Sequence, residues 1–214
     1  MQKKALIFWG GWEGHTPKAS AETVAAILSG HGVDVVVGEG AKTLVEHDLP
    51  QFDLIVPMVT MSVIDKEELG ALLRAVKGGV GLAGFHGAMG DSFRNETEYQ
   101  FMVGGQWVAH PGNIIDYRVN ITRPNDPIMA GVGDFDYHSE QYYMHVDPSN
   151  EVLATTRFTG EYLDFIDGVE MPVVWKRRFG AGRVFYSSLG HQSSEFDVPQ
   201  MRTIYERGAL WAMR

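Results

Sequence analysis

The 214-residue sequence contains no cysteine. That absence removes disulfides, thiolate metal sites and thiol nucleophiles together, so a cysteine-dependent hydrolase or glutaminase is excluded. Long apolar runs are also missing. After Met1-Gln2-Lys3-Lys4, only residues 5–9 are continuously apolar before Gly10-Gly11. This is too short for a secretory core or a membrane span, and the expectation is a cytoplasmic chain with no membrane partner. Basic residues are in the minority, with Lys+Arg 18 against Asp+Glu 27 and a net charge of -9. Their longest run is Lys176-Arg177-Arg178, which speaks against a nucleic-acid groove and for a small polar ligand. "GGWEG" lacks the spacing of a dinucleotide fingerprint and no phosphate-loop motif occurs, so no nucleotide cofactor is expected.

What is present is a chain, 44% hydrophobic, that can bury a substantial core as one domain over residues 1–214. Residues 5–9, 33–37, 54–58 and 80–85 read as short strands separated by helical patterns, the signature of βα units around a parallel sheet. Leu69, Leu72, Leu73 and Val76 share one helix face, with Asp65 and Glu68 marking the start and Gly78 the end. An earlier helix over residues 18–30 has Pro17 near its first turn and turns Val24, Ile27 and Leu28 to the sheet. Beyond Gly104-Gly105 the pattern changes to strands at 114–121, 152–156, 173–176 and 184–188 without regular intervening helices. A closing helix over 199–213 places Met201, Ile204, Tyr205, Gly208 and Trp211 on one side. The fold class is therefore α/β, with a mostly parallel central sheet and extra strands in the second half.

Ligands of open α/β sheets bind beyond the carboxyl ends of the strands, and His15, His86 and His191 all follow predicted strands. A lone loop histidine is most often a satisfied polar side chain; three converging on one edge are more informative. "GLAGFHGA" has the spacing of a nucleophile elbow, with imidazole where hydrolases carry Ser or Cys. Gly84, Gly87 and Gly190 allow close backbone approach there. Imidazole can accept a proton or bind a metal. "DFDYHSEQYYMHVDP" is the densest titratable stretch; if extended, it puts His138, Glu140 and Tyr142 on one face. In "GGQWVAHPGN", Trp107 offers a sugar platform and His110 sits in a loop shaped by Pro111 and Gly112. An amidase built on Ser92 or Ser187 has no visible base.

Several stretches together carry a family resemblance: Gly14-His15, "GGVGLAGFHGA", "GGQWVAHP", "SEQYY", "PVVWKRRFGAGRVFYSSLGH" and "GALWA". Over nearly its whole length the chain resembles the trehalose-utilisation, ThuA-like family, related by fold to class I glutamine amidotransferases. The resemblance implies a flavodoxin-like three-layer sandwich in which the amidotransferase cysteine is lost and His86 stands at its turn. It puts His191 in the region of the amidotransferase histidine, with Glu195 as the nearest acid, four residues on.

The family's link to disaccharide catabolism implies a carbohydrate substrate already oxidised at C3 by a sugar 3-dehydrogenase, such as 3-oxo-trehalose. Cleaving that sugar needs a base for the acidified C2 proton, stabilisation of an enolate and a proton for the leaving oxygen. On this reading His86, Glu140 and His191 are the catalytic residues, sharing proton transfer or holding a divalent metal, Zn or Mn. His15, Trp107, His110, Tyr142 and His145 bind substrate. No compact ligand motif occurs, so these groups must meet through the fold. The alternative is a non-catalytic carbohydrate-binding or regulatory module on a degenerate amidotransferase fold. A homo-oligomer is compatible with either.

Overall fold

Short apolar stretches such as ALIF and LIVPM can hide both faces only in the middle of a sheet, and that is where they lie. The computed structural model describes residues 2–214. Its strands are β1 (Lys4–Trp9), β2 (Asp34–Glu39), β3 (Leu54–Met58), β4 (Gly81–Phe85), β5 (Gly105–Ala109), β6 (Ile114–Ile121), β7 (Phe135–Glu140), β8 (Tyr143–Val146), β9 (Glu151–Arg157), β10 (Glu170–Phe179) and β11 (Gly182–Ser187). The helices are α1 (Pro17–Gly30), α2 (Thr43–Glu46), α3 (Lys66–Lys77), α4 (His86–Gly90), α5 (Thr97–Val103) and α6 (Pro199–Ala212).

The main sheet has the order β2-β1-β3-β4-β11-β10-β9-β6-β7. From β2 to β11 the neighbours pair in parallel, and from β11 to β7 they pair antiparallel. A separate ribbon pairs β5 with β8. The parallel segment is the flavodoxin-like half, and the antiparallel strands are the additions expected in the second half.

Strand alternation sorts the core into two layers. Ala5 and Ile7 of β1 face Val24 and Leu28 of α1 and Ile204 of α6. Leu6 and Phe8 face Leu72 and Val76 of α3 and Met102 of α5. The start of α3 is fixed by a capping box: Asp65 accepts from the Glu67 and Glu68 amides at 2.8 Å, and Glu68 accepts from the Asp65 amide at 2.9 Å.

Three local expectations change. In α6, Ala209 and Ala212 are buried while Trp211 is only half-buried, because its indole lies beside Lys176 and Arg183 at the flank. β10 runs well beyond residues 173–176; Pro172 fits within it because the register with β9 shifts between Pro172 and Val174. Two helices, α4 and α5, go unannounced, since each is too short to show a full apolar period.

At the base of the parallel sheet Asp53 ties three segments together. Its carboxylate accepts from the Lys4 amide at 2.9 Å and from Lys3 Nζ at 3.1 Å, with Arg214 Nε at 3.6 Å. Burial alone acts to raise the Asp53 pKa. The Lys4 amide, the Lys3 hydrogen bond and the charges of Lys3 and Arg214 outweigh it, and the net shift is downward. A carboxyl depressed in the folded state adds stability above its unfolded pKa and loses it as pH falls through the folded value. Asp53→Asn should therefore cost about 1 kcal/mol at pH 7. The gap should close below pH 4 in urea titrations run across pH.

Candidate active site

Four strands that end at one edge of the sheet, β1, β4, β7 and β11, each deliver one member of a cluster. The segment after β1 forms a single 3-10 turn at Glu13–His15. His15 is buried, and its Nδ1 lies 2.8 Å from Thr60 Oγ1 in the segment after β3. β1 and β3 flank the switch point of the flavodoxin-like order, where ligands of this fold class bind. His86 opens α4 directly after β4 and is 1% exposed. Glu140 ends β7, and His191 follows β11 across Gly190.

One ligand atom from each of His15, His86, Glu140 and His191 lies within 4.8 Å of all the others. Glu140 Oε2 is their meeting point: 3.0 Å from His86 Nε2, 3.3 Å from His191 Nδ1 and 3.9 Å from His15 Nε2. Its other oxygen is 3.7 Å from His110 Nε2.

His86 has the left-handed backbone of an elbow, with φ 44°. Among the described residues the other non-glycine positions with positive φ are Thr16, Met61, Phe93 and Asn113, at 47° to 59°, and all lie in the loops around this edge. Such conformations cost on the order of 1–3 kcal/mol each and persist only where the surroundings enforce them. Gly87 has a second role: a Cβ there would stand 2.5 Å from His15 Cε1, so glycine lets the two loops close on each other.

The protonation pattern leaves a gap in the cluster. His86 Nδ1–H donates to the Ser188 carbonyl at 2.8 Å, so a neutral His86 presents only a lone pair at Nε2, towards the Glu140 carboxylate. A second proton would satisfy both groups, but burial lowers the His86 pKa to about 4, with Glu140 acting upward and His15 downward. Burial acts to raise the Glu140 pKa, yet the His15, His191 and His86 rings around it hold it below the usual carboxylate range. The carboxylate and the lone pair thus face one another. His191 Nδ1 is buried and out of hydrogen-bonding alignment with Glu140, leaving it unpartnered.

A divalent cation held there would resolve these conflicts together. The donor set suits one: neutral imidazoles plus a carboxylate, with the far nitrogen of His86 anchored on a backbone carbonyl in the manner of metal-bound histidines. Ligand atoms about 2.1 Å from a tetrahedral ion stand roughly 3.4 Å apart, close to the spacings around Glu140 Oε2. The group could hold a metal ion.

Above it opens a cleft of about 460 Å³ that His15 and Glu140 face, walled by Trp12, Tyr142, Trp107 and His110. Tyr142 stacks on His86 with ring centroids 4.0 Å apart. Burial, reinforced by neighbouring acidic groups, holds its hydroxyl protonated.

Of the residues singled out from sequence, His15, His86, His110, Glu140, Tyr142, Trp107 and His191 come together. His145 does not. It is exposed on β8, opposite Gln106, and faces a separate groove with Thr97 and Gln100. His138 also parts from Glu140. It is exposed and paired with Asp116 at 2.7 Å, because β7 ends at Glu140 and strict alternation fails there, with Ser139 and Glu140 both buried.

Glu195 is no partner for the His191 ring. It accepts from the Tyr137 hydroxyl, from Ser139 Oγ at 2.9 Å and from the His191 amide at 3.1 Å, bracing the segments on either side of the cluster. Trp12, Thr60, Asp91 and Arg94 were not anticipated. Trp12 and Thr60 follow β1 and β3, so the strand-end rule reaches them, whereas Asp91 and Arg94 carry no such signal.

This combination defines the class: an α/β protein with a flavodoxin-like parallel half whose turn after β4 carries an imidazole within a buried His/Glu cluster. The family model described as ThuA, trehalose utilisation, matches residues 4–212, and the chain belongs to that family. No curated protein matches it. Among solved structures it is similar to ThuA-like proteins from Parabacteroides merdae (20% identity, TM-score 0.80, 99% of this chain and 90% of that one) and Bacteroides uniformis (21%, 0.77, 97% and 89%). It also resembles part of a GH42 β-galactosidase from G. stearothermophilus (14% identity, TM-score 0.59), covering 94% of this chain and 30% of that one. At these identities the structural likeness speaks for the fold. Among the described residues no helix is long and apolar enough to cross a membrane.

Proposed function

We propose that the protein cleaves an oxidised disaccharide or glycoside, such as 3-oxo-trehalose, by removing the proton beside the ring ketone and expelling the glycosidic oxygen. The observation that carries this reading is the His15, His86, Glu140 and His191 group at an aromatic-walled cleft, in a family of trehalose utilisation.

The reaction balances without a co-reactant. A ketone at C3 acidifies the C2 proton; its removal sends the electron pair into the C2–C3 enolate. Return of that pair forms the C1–C2 double bond, restores the ketone and breaks the C1–O bond, and the departing oxygen takes up a proton. Zn or Mn held by His86, Glu140 and His191, with His15 as a fourth donor, would polarise the ketone oxygen and acidify C2.

With those residues occupied, His110 is the imidazole of the cleft left to carry the proton. Its Nε2 lies 3.7 Å from Glu140 Oε1, and its Nδ1 has no partner. Tyr142 keeps its hydroxyl as a hydrogen-bond donor towards substrate oxygen. The substrate requires a dehydrogenase acting first at C3, and we place both steps in the cytoplasm.

Proton NMR of 3-oxo-trehalose in deuterated water, with and without added Zn or Mn, tests this. Protein-dependent loss of the C2 proton and release of glucose, with trehalose untouched, are expected. Glucose release without C2 exchange would replace elimination with hydrolysis. Tight binding of trehalose with no turnover of its oxidised form would overturn the enzyme reading in favour of a binding module.

A further inference from the structure

We propose that Asp91, Arg94 and Trp107 form a second subsite, which receives the leaving-group ring of an uncharged glycoside and selects against a phosphorylated or carboxylated one. This rests on the cleft being a carbohydrate site, and it extends that reading to residues outside the His/Glu cluster.

The subsite is built rather than incidental. Asp91 follows α4 and is 4% exposed, and its backbone carbonyl accepts from the Met61 amide at 2.8 Å. Its carboxylate grips Arg94 through both oxygens, Oδ1 to Nε at 2.6 Å and Oδ2 to Nη2 at 2.8 Å. Two parallel bonds fix the guanidinium plane as well as its position. Arg94 Cζ then lies 4.9 Å from the centroid of the Trp107 ring.

From there planar groups continue inward: Trp107 to His110 at 5.6 Å, His110 to Tyr142 at 6.3 Å, and Tyr142 to His86 at 4.0 Å. The row links the cleft wall to the residue at the elbow. An extended ligand lying along it would place one end at the cluster and the other at Arg94.

Two features specify the ligand's chemistry. First, a donor stands idle: Arg94 lines the cleft with its side chain 43% exposed, and its Nη1 finds no acceptor among the described residues. A hydroxyl oxygen in the cleft would accept from it. Aromatic faces with nearby donors suit a pyranose, which offers C–H surface and hydroxyl oxygens together.

Second, the charge is already balanced. The Asp91 side chain, 6% exposed, already neutralises Arg94. A phosphate or carboxylate on the incoming ring would meet a cation that is already paired, beside the carboxylate that holds it. Anion sites use unpaired Arg or Lys instead. The geometry therefore points to a neutral, polyhydroxylated leaving group.

Calorimetry separates this subsite from the cleavage chemistry, because it needs no turnover. Trehalose, trehalose 6-phosphate and methyl α-glucoside would be titrated into the wild-type protein and into Arg94→Lys, which keeps the charge but loses the fork and the plane over Trp107. The wild type should bind trehalose at least tenfold more tightly than either of the other two. Arg94→Lys should weaken trehalose about tenfold and methyl α-glucoside no more than twofold, with zinc stoichiometry unchanged in both proteins.

Should Arg94→Lys fold poorly, the Asp91→Asn/Arg94→Gln pair removes both charges at similar volume and should give the same loss. Equal binding of trehalose and its phosphate, or equal losses for one-ring and two-ring sugars, would overturn the subsite. The expected binding pattern without cleavage of 3-oxo-trehalose would uphold the subsite and sink the enzyme reading alone.

Discussion

Glu140→Gln should lower turnover of 3-oxo-trehalose by about 10³-fold or more while leaving the ion-free protein at least as stable as the wild type. The two halves of this prediction have one cause. In the wild type the Glu140 carboxylate faces a lone pair on His86 Nε2, because the other ring nitrogen is committed to Ser188 and burial opposes a second proton. A glutamine amide can donate its N–H to that lone pair, which replaces a repulsive contact by a hydrogen bond worth about 1 kcal/mol. The same change removes the anionic ligand at the centre of three imidazoles. Thermal unfolding in EDTA, zinc titration and steady-state kinetics on one preparation read all three quantities. A variant that is destabilised without metal and still active would show that Glu140 is a structural carboxylate, and the site would have to be sought elsewhere in the cleft.

Gly87→Ala should reduce ion affinity by about 10–100-fold with the fold intact. Alanine favours a helix over glycine, and Gly87 lies within α4, so the backbone itself tolerates the change. The added methyl group, however, would stand 2.5 Å from His15 Cε1, 2.9 Å from its Nδ1 and 3.0 Å from Thr60 Cγ2. Neighbouring rings limit where His15 can retreat. Its ring is edged by Trp12 at 4.7 Å, His86 at 4.8 Å and His191 at 4.9 Å. The imidazole must tilt, and its bond to Thr60 is lost. Zinc calorimetry on the variant decides whether His15 belongs to the ligand set: unchanged affinity would reduce that set to His86, Glu140 and His191.

The parts of this site that could be read from sequence are those that depend on one element at a time. His15, His86 and His191 follow buried apolar strands, and the strand-end rule needs only the pattern of the strand itself. Glu140 was legible from its dense surroundings, although the alternation used to place it fails at the strand's last residues and leaves His138 outside. His145 illustrates the same limit: it is close to Glu140 in sequence, yet the β5–β8 ribbon turns it outward. What depends on three segments at once was not legible. Asp91 and Arg94 are an ordinary acid and base until α4 places them against Trp107. Nor could strand order be foreseen from separate periodicities: β11, near the end of the chain, pairs with β4 and completes the parallel half before the antiparallel additions begin.

The dispersion of the four donors has a mechanical consequence. They come from the segments after β1, β4 and β11 and from the end of β7, so they join the parallel core to the outermost antiparallel strand. An ion bound there would act as a removable rivet, closing very large loops of a polymer that cannot form disulfides, and loop closure of that size reduces the freedom of the unfolded chain most. The resistance of this protein to unfolding would then follow the supply of metal, with a chelator in the role that a reducing agent plays for a secreted protein.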